Sequence, residues 1–217
     1  MRSSVDIGGD QGKAGLRPRS PSSITDLAAE AEHCERCHLY KIGTQVVFGE
    51  GPAPADLMLV GEQPGDQEDK IGRPFVGPAG RILDGALEAA GLDRSTVYLT
   101  NAVKHFKHEL RGKRRLHRKP NMGEVKACRW WFKLELAVVK PKLIVALGAT
   151  AARSVMNRTV VLSRERGHVL HLAEGCRGLV TFHPSAILRM PEERDRDKAL
   201  QQLITDLRLA ARLVAGA

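Results

Sequence analysis

Two groups of residues in this sequence combine types and spacings that can do chemistry. Cys34 and Cys37 form a Cys-x-x-Cys pair, and because the chain begins without an apolar export signal, we expect metal binding or redox chemistry there. Acidic residues collect directly after the apolar run LMLVG at 57–61; they are Glu62, Asp66, Glu68 and Asp69. Carboxylates at the end of a strand are suited to general acid–base catalysis or to stabilising a positive charge.

A third group is basic. Lysine and arginine concentrate between Lys104 and Lys119, where Glu109 is the one acid, and this stretch carries most of the net charge of +9. The same stretch holds three histidines, His105, His108 and His117. Such a segment is suited to contact with nucleic-acid phosphates, because lysine and arginine displace counterions from the backbone. The alternative is a solvated loop that has no specific partner.

The elements that position these groups follow from length and patterning. A chain of 217 residues with 42% hydrophobic residues can form one domain with its own core. Residues 1–22 lack periodicity and are rich in Gly, Ser, Pro and Arg, so we predict a disordered tail followed by a single domain over 23–217. No apolar run reaches the length of a membrane span, and four cysteines are too few for a disulfide scaffold.

Four short apolar runs alternate with helical patterns. The runs are LMLVG at 57–61, VYLT at 97–100, LIVAL at 143–147 and LVTF at 179–182. Each is continuous, as expected of strands that are buried on both faces. The pattern predicts a three-layer α/β/α sandwich around a mainly parallel, four-stranded sheet. In such sheets the site lies at the carboxyl ends of the strands, which here carry GEQPGD, TNAVKH, LGAT and FHPS.

The motifs in these segments resemble a known family. GEQPG at 61–65, GRPFVGPAG at 72–80, TNAVK at 100–104 and HPS at 183–185 follow the order found in the uracil-DNA glycosylase superfamily, in its iron–sulfur (family 4) branch. Gln63 and the insertion 111–119, which contains KRRLH, resemble the UdgX subgroup. Members of that subgroup excise uracil and then stay covalently attached to the DNA through a histidine of this insertion.

The resemblance implies roles for the residues that would bind uracil. Uracil must leave the base stack to be reached. Phe75 would stack on it, Asn101 would read its Watson–Crick edge, and His183 would hydrogen-bond its O2 and stabilise the departing anion. Gln63 would contact the base, orient a nucleophile or exclude water.

The resemblance also implies roles at the sugar. Glu62 would stabilise the positive charge that develops when the N-glycosidic bond breaks, with Asp66 and Asp69 in support. His117 would be the nucleophile; the alternative is a histidine that only contacts phosphate. The residues implied in DNA-backbone contacts are Lys113, Arg114, Arg115, Arg118, Ser185 and Arg189.

A 4Fe–4S cluster is implied by the same resemblance. Cys34, Cys37 and Cys128 occupy ligand positions, and His105 stands where the branch usually carries another cysteine. Histidine can replace cysteine on cluster iron. Two alternatives stay open at this point: Cys176 as a ligand, and a structural zinc ion, which a Cys3His set also suits.

We therefore expect an N-glycosylase that excises uracil from DNA, with single strands preferred, and forms a covalent adduct through His117. The alternatives are a hydrolytic family 4 enzyme with turnover and, in a different class, a non-catalytic iron–sulfur protein that binds nucleic acid or transfers electrons. We expect a cytoplasmic, nucleoid-associated monomer that has no membrane partner.

Overall fold

The computed structural model describes residues 23–172 and 176–216. The tail predicted at 1–22 lies outside the described residues. The strands are β1 Leu57–Gly61, β2 Val97–Asn101, β3 His108–Arg111, β4 Arg114–His117, β5 Leu143–Leu147, β6 Val169–His171 and β7 Arg177–Thr181. The helices are α1 Ile24–Ala31, α2 Asp66–Ile71, α3 Pro78–Ala89, α4 Met122–Val139, α5 Gly148–Met156, α6 Leu162–Glu165, α7 Pro184–Leu188 and α8 Glu193–Ala215.

The central sheet has the strand order β2-β1-β5-β7-β6. Its first four strands are mutually parallel, and β6 pairs antiparallel with β7. The predicted α/β/α sandwich is therefore confirmed, whereas the predicted count of four strands is wrong by one edge strand. β6 has three residues and none of them is fully buried, so it lacks the apolar run by which the other four strands were predicted.

Each parallel strand is buried on both faces because helices cover both sides of the sheet. On one side, Leu57 and Leu59 of β1 pack in a cluster that includes Leu83 of α3 and Leu203 of α8. On the other side, a cluster joins alternate residues of the same strands to α4 and α5. Both faces thus bury apolar residues, which explains the continuous runs in the sequence.

The basic segment forms a second, two-stranded sheet. β3 and β4 pair antiparallel around a turn at Gly112, whose φ of 60° suits glycine. We call 108–117 the basic hairpin. Its register sets His108 opposite His117 at the end nearest the domain. Most of the insertion at 111–119 therefore lies in this hairpin, whose paired strands hold His117 in place.

Helix α4 begins directly after the basic hairpin. Asn121 and Glu124 form a capping box, in which the Asn121 side chain accepts from the Glu124 N–H at 2.9 Å and the Glu124 carboxylate accepts from the Asn121 N–H at 2.6 Å.

Among the described residues, no helix is long and apolar enough to cross a membrane.

Candidate active site

A cavity of about 540 Å³ opens at the carboxyl ends of β1, β2, β5 and β7. Many of the residues that the sequence nominated line it: Glu62, Gln63, Asp66, Phe75, Asn101, His117, His183, Ser185 and Arg189. Apart from the nominated metal ligands, five nominated residues lie outside its lining: Asp69, Lys113, Arg114, Arg115 and Arg118. The cavity therefore gathers the groups implied at the base and most of those implied at the sugar, and His117 is the nominated hairpin residue in its lining.

Asn101 and Phe75 meet over a glycine. Gly61 ends β1 and pairs with Asn101, which ends β2. A Cβ atom at Gly61 would lie 2.3 Å from Asn101 Oδ1 and 2.7 Å from Phe75 Cζ. Only glycine therefore allows the amide and the ring to approach each other at this point. Both side chains are buried, at 3% and 5% exposure, so they form the inner wall of the cavity.

Phe75 also stacks on His183. The two ring centroids lie 6.2 Å apart with an interplanar angle of 29°. Phe75 has a φ of 56°, in the left-handed region that is costly for a bulky residue. The carbonyl oxygen of Phe75 would lie 1.8 Å from a Cβ at Gly80, so the glycine of the following helix makes room for this backbone. The strained backbone keeps the ring turned into the cavity.

The protonation state of His183 follows from its contacts. Its Nδ1 accepts the backbone N–H of Ser185 at 3.1 Å, so Nδ1 carries no proton and the neutral ring holds its proton on Nε2. Burial lowers the pKa of His183 to about 4, and the positive side chain of Arg189 acts in the same direction. At neutral pH His183 is therefore a neutral donor through Nε2.

His117 faces Glu62 across the cavity mouth. The Nε2 atom of His117 lies 3.5 Å from Glu62 Oε1. Burial lowers the pKa of His117, Arg189 lowers it further, and the Glu62 carboxylate acts against them. The ring is therefore neutral at pH 7 and has a carboxylate beside it.

Gln63 ties the strand end to the base of the basic hairpin. Its Nε2 donates to the carbonyl oxygens of Lys107, at 3.3 Å, and Arg118, at 3.0 Å, while its Oε1 accepts the Lys107 N–H at 3.1 Å. Lys107 and Arg118 flank the hairpin strands, next to His108 and His117. All of these bonds go to protein backbone, so the Gln63 amide positions the hairpin.

Arg115 turns inward, toward the acidic helix α2. Its Nε donates to Asp66 Oδ1 at 2.6 Å and its Nη1 donates to Asp69 Oδ2 at 2.5 Å. Arg115 is only 16% exposed and Asp69 is fully buried. Asp66 also binds Lys70, which together with Arg115 lowers the pKa of this carboxyl group. Arg115 was predicted to contact DNA, and Asp66 and Asp69 were predicted to support Glu62. In the structure these three residues form one ion-pair cluster that holds the hairpin.

Sequence reasoning missed Phe106, which lies under the basic hairpin. It is 1% exposed and stacks on His108 with centroids 5.0 Å apart, and the His117 ring lies 6.1 Å away. The Arg115 guanidinium lies 5.4 Å from its centroid. Three inward-facing hairpin residues therefore share one aromatic ring. The available signal in the sequence was the spacing of Arg115 and His117, because residues two positions apart in a strand place their side chains on the same face.

Glu68 was also missed as a structural part of the cavity wall. Its two carboxylate oxygens accept the backbone N–H groups of Gly65, at 3.1 Å, and Gly77, at 2.8 Å. The residue is 7% exposed and lines the cavity. It joins the GEQPG and FVGP segments, so the loops that carry Glu62 and Phe75 are held in a fixed relation.

Three cysteines gather in a separate core cluster beside the basic hairpin. Cys34, Cys37 and Cys128 belong to the cluster formed with α1 and α4. Cys34 Sγ accepts the indole N–H of Trp131 at 3.1 Å, and Cys128 Sγ accepts the backbone N–H of Lys104 at 3.2 Å. Burial raises the pKa of Cys128 to about 12 and also raises that of Cys37. Cys176 packs against a different cluster.

His105 is buried at 5% exposure, and burial lowers its pKa, so its ring is neutral. It directly follows Lys104, whose backbone N–H binds Cys128. Within 23–172 and 176–216, no three His, Cys, Asp or Glu side chains converge closely enough to hold a single metal ion.

The fold and the cavity together define an α/β protein whose strand-end cavity is lined by an aromatic side chain, an amide and a neutral histidine. Residues 48–208 match the family described as the uracil DNA glycosylase superfamily. Since this range covers most of the chain, the protein belongs to the uracil-DNA glycosylase superfamily.

Named relatives are similar over most of their length. The chain is 34% identical over 181 residues to a type-4 uracil-DNA glycosylase of Thermotoga maritima, covering 83% of this chain and 88% of the relative. It is 36% identical over 173 residues to a type-4 uracil-DNA glycosylase of Pyrobaculum aerophilum, covering 75% and 83%. A type-4 enzyme of Archaeoglobus fulgidus is 33% identical over 180 residues. The expected family 4 relationship is therefore supported.

Proposed function

We propose that this protein excises uracil from DNA and then traps itself on the abasic sugar through His117. The uracil-DNA glycosylase part rests on the family and on the type-4 relatives. The self-trapping part rests on one observation: a neutral, partly buried His117 lies at the cavity mouth with Nε2 at 3.5 Å from Glu62. Residue 117 is also held by paired strands, so its ring is preorganised for attack.

Uracil recognition would use the inner wall of the cavity. Phe75 stacks on the flipped base, and the Asn101 amide offers one donor and one acceptor to its O4 and N3–H. Cytosine presents the opposite pattern at these atoms and would leave the buried amide unpaired. His183 donates through Nε2 to uracil O2, since its Nδ1 is occupied by the Ser185 N–H.

Bond cleavage would then be favoured by stabilising the negative charge on the base and the positive charge on the sugar. The bond between C1′ and uracil N1 breaks, and its electron pair leaves with the base, whose anion the His183 N–H stabilises. The sugar becomes an oxocarbenium-like cation, and the Glu62 carboxylate stabilises it. Neither step needs a charged histidine, which agrees with the lowered pKa values of His117 and His183.

The trapping step would replace water with His117. A lone pair of the neutral ring forms a bond to C1′ of the cation, and the ring becomes an imidazolium. Loss of its remaining N–H proton, to Glu62 or to solvent, returns the ring to neutrality. Atoms and charges balance, because the leaving uracil anion takes up one proton in water.

The cluster would be held by Cys34, Cys37, Cys128 and His105. The N–H groups that point at the sulfur atoms of Cys34 and Cys128 suit thiolate ligands. When bound, the 4Fe–4S cluster supplies a crosslink between the 34–37 segment, α4 and the loop before the basic hairpin. We assign no reaction step to it.

The rival candidate is a hydrolytic type-4 glycosylase, which the names of the relatives favour. A denaturing gel separates the two. The protein is incubated with a uracil-containing single strand and, as the control, with the same strand carrying thymine. We expect a band shifted by the mass of the protein that survives denaturation and appears only with uracil. A cleavable abasic strand without a shifted band would support hydrolysis, and an unchanged strand would refute both.

A further inference from the structure

Helix α4 exposes a face that is both aromatic and positively charged. Its exposed residues follow at three- and four-residue spacing; they include Met122, Lys126, Trp130 and Lys133. Trp130 is 38% exposed, whereas the neighbouring Trp131 is 6% exposed and packs in the cysteine cluster. Trp131 therefore supplies the core contact, whereas part of the Trp130 side chain is open to solvent.

The charge of this face is positive because the two acids of α4 point the other way. Glu124 is 2% exposed and pairs with Lys107, and Glu135 is fully buried and pairs with Lys104. No acid of α4 is exposed among the described residues. The lysines on the exposed face thus have no acidic neighbour on their own helix.

Arg36 completes the surface from the cysteine segment. Its guanidinium carbon lies 4.5 Å from the centroid of the Trp130 ring, and it stands between Cys34 and Cys37 in the sequence. The bond from the Trp131 indole to Cys34 Sγ fixes the same segment to α4. An arginine stacked on a partly exposed tryptophan, with lysines at helical spacing on either side, is a combination that binds single strands by stacking and charge.

The face begins close to the cavity in the chain. Lys119 lines the cavity, and α4 begins three residues later at Met122. From Met122 to Lys133 the helix rises about 16 Å. At the spacing of a stacked strand this length covers roughly five nucleotides. A strand that runs from a uracil in the cavity along α4 would therefore place several nucleotides on this face.

We infer that Arg36, Lys126, Trp130 and Lys133, here called the α4 platform, bind the single-stranded DNA that flanks the uracil. One base stacks on Trp130, and the lysines contact phosphates on either side. This inference rests on the proposed function, which it deepens by defining the path of the strand. The partner is a single strand because a duplex hides the faces of its bases from a stacking side chain.

Binding of a uracil-free single strand, measured by fluorescence anisotropy, tests the platform. Trp130→Ala should weaken binding about ten-fold, and Trp130→Phe should restore most of it, which a mere loss of folding would not allow. Lys126→Ala/Lys133→Ala should reduce the slope of log K against log salt by about 1.4. The matched pair Arg194→Ala/Lys198→Ala, exposed on α8, should leave the slope unchanged.

Either of two results would overturn the platform. Trp130→Ala could bind the single strand as tightly as the wild type does, or it could lose affinity for duplex and single strand to the same extent. Uracil release from a very short strand, which ends before the platform, tests the proposed function separately. If uracil is released and Trp130→Ala binds the single strand as tightly as the wild type does, only the α4 platform is refuted. Absence of release from short and long strands refutes the proposed function, whatever the binding result.

Discussion

Nε2 of His117 lies 3.5 Å from Oε1 of Glu62, although the two residues belong to separate parts of the fold. Glu62 follows β1 of the central sheet, and His117 ends β4 of the basic hairpin. The contact therefore depends on how the hairpin is attached to the domain. Gln63, Arg115 and Phe106 provide that attachment through backbone hydrogen bonds, buried ion pairs and ring packing.

Replacing Gln63 should separate trapping from excision. Gln63→Ala removes the side-chain bonds to Lys107 and Arg118, which should cost about 1–3 kcal/mol of stability. The hairpin then holds His117 less firmly, and we expect slower adduct formation with uracil release retained. Single-turnover gels that follow both products measure this. Equal loss of both products would contradict a positioning role.

His117 and His183 should become protonated at different pH values as the solution is made acidic. His117 must be neutral to attack and His183 must be neutral to keep its geometry, and both have lowered pKa values, with that of His183 at about 4. As pH falls through the pKa of His117, which lies below the ordinary histidine value of about 6.5, His117 gains a proton and trapping declines, while His183 stays neutral down to about pH 4. We expect free abasic DNA to accumulate in that window.

The same profile checks the contribution of Glu62. Its charge raises the pKa of His117, so Glu62→Gln should move the acidic limb of trapping to lower pH while slowing excision. A limb that stays in place would show that Glu62 does not act on the His117 ring.

Phe106 should matter through packing alone. Phe106→Leu keeps an apolar side chain but removes the ring that His108, His117 and Arg115 contact. A buried substitution of this kind should cost about 1–3 kcal/mol, and we expect the adduct rate to fall by a larger factor than uracil release. Thermal unfolding and single-turnover assays measure the two effects. Val125→Ala, in the cysteine cluster, serves as a control for general core damage.

Substitutions of Cys128 and Cys176 should have different effects because the two cysteines lie in different clusters. Cys128 is buried with Cys34 and Cys37, and Cys176 packs elsewhere. We expect Cys128→Ala to abolish the visible absorbance of an iron–sulfur cluster and to lower stability. Cys176→Ala should leave the spectrum intact. Loss of the band in Cys176→Ala, or a colourless wild type that contains zinc, would contradict the ligand assignment.

The sequence predicted the sandwich and its site edge because buried parallel strands have continuous apolar runs and because their carboxyl ends share one edge. It could not predict the partners of Gln63, which stand 44 and 55 residues away in the chain. Nor could it show that Arg115, one of several adjacent basic residues, turns toward Asp69. Those contacts depend on where the hairpin packs, and composition alone does not specify that.

In the proposed reaction His117 itself forms the bond to DNA. The direct measurement is mass spectrometry of the peptide that contains residue 117, after reaction with a uracil-containing single strand and digestion of protein and DNA. We expect a mass increase that corresponds to the abasic sugar residue and fragments that assign it to His117, with no adduct in His117→Ala. An unmodified peptide, together with repeated turnover to free abasic DNA, would refute trapping by His117.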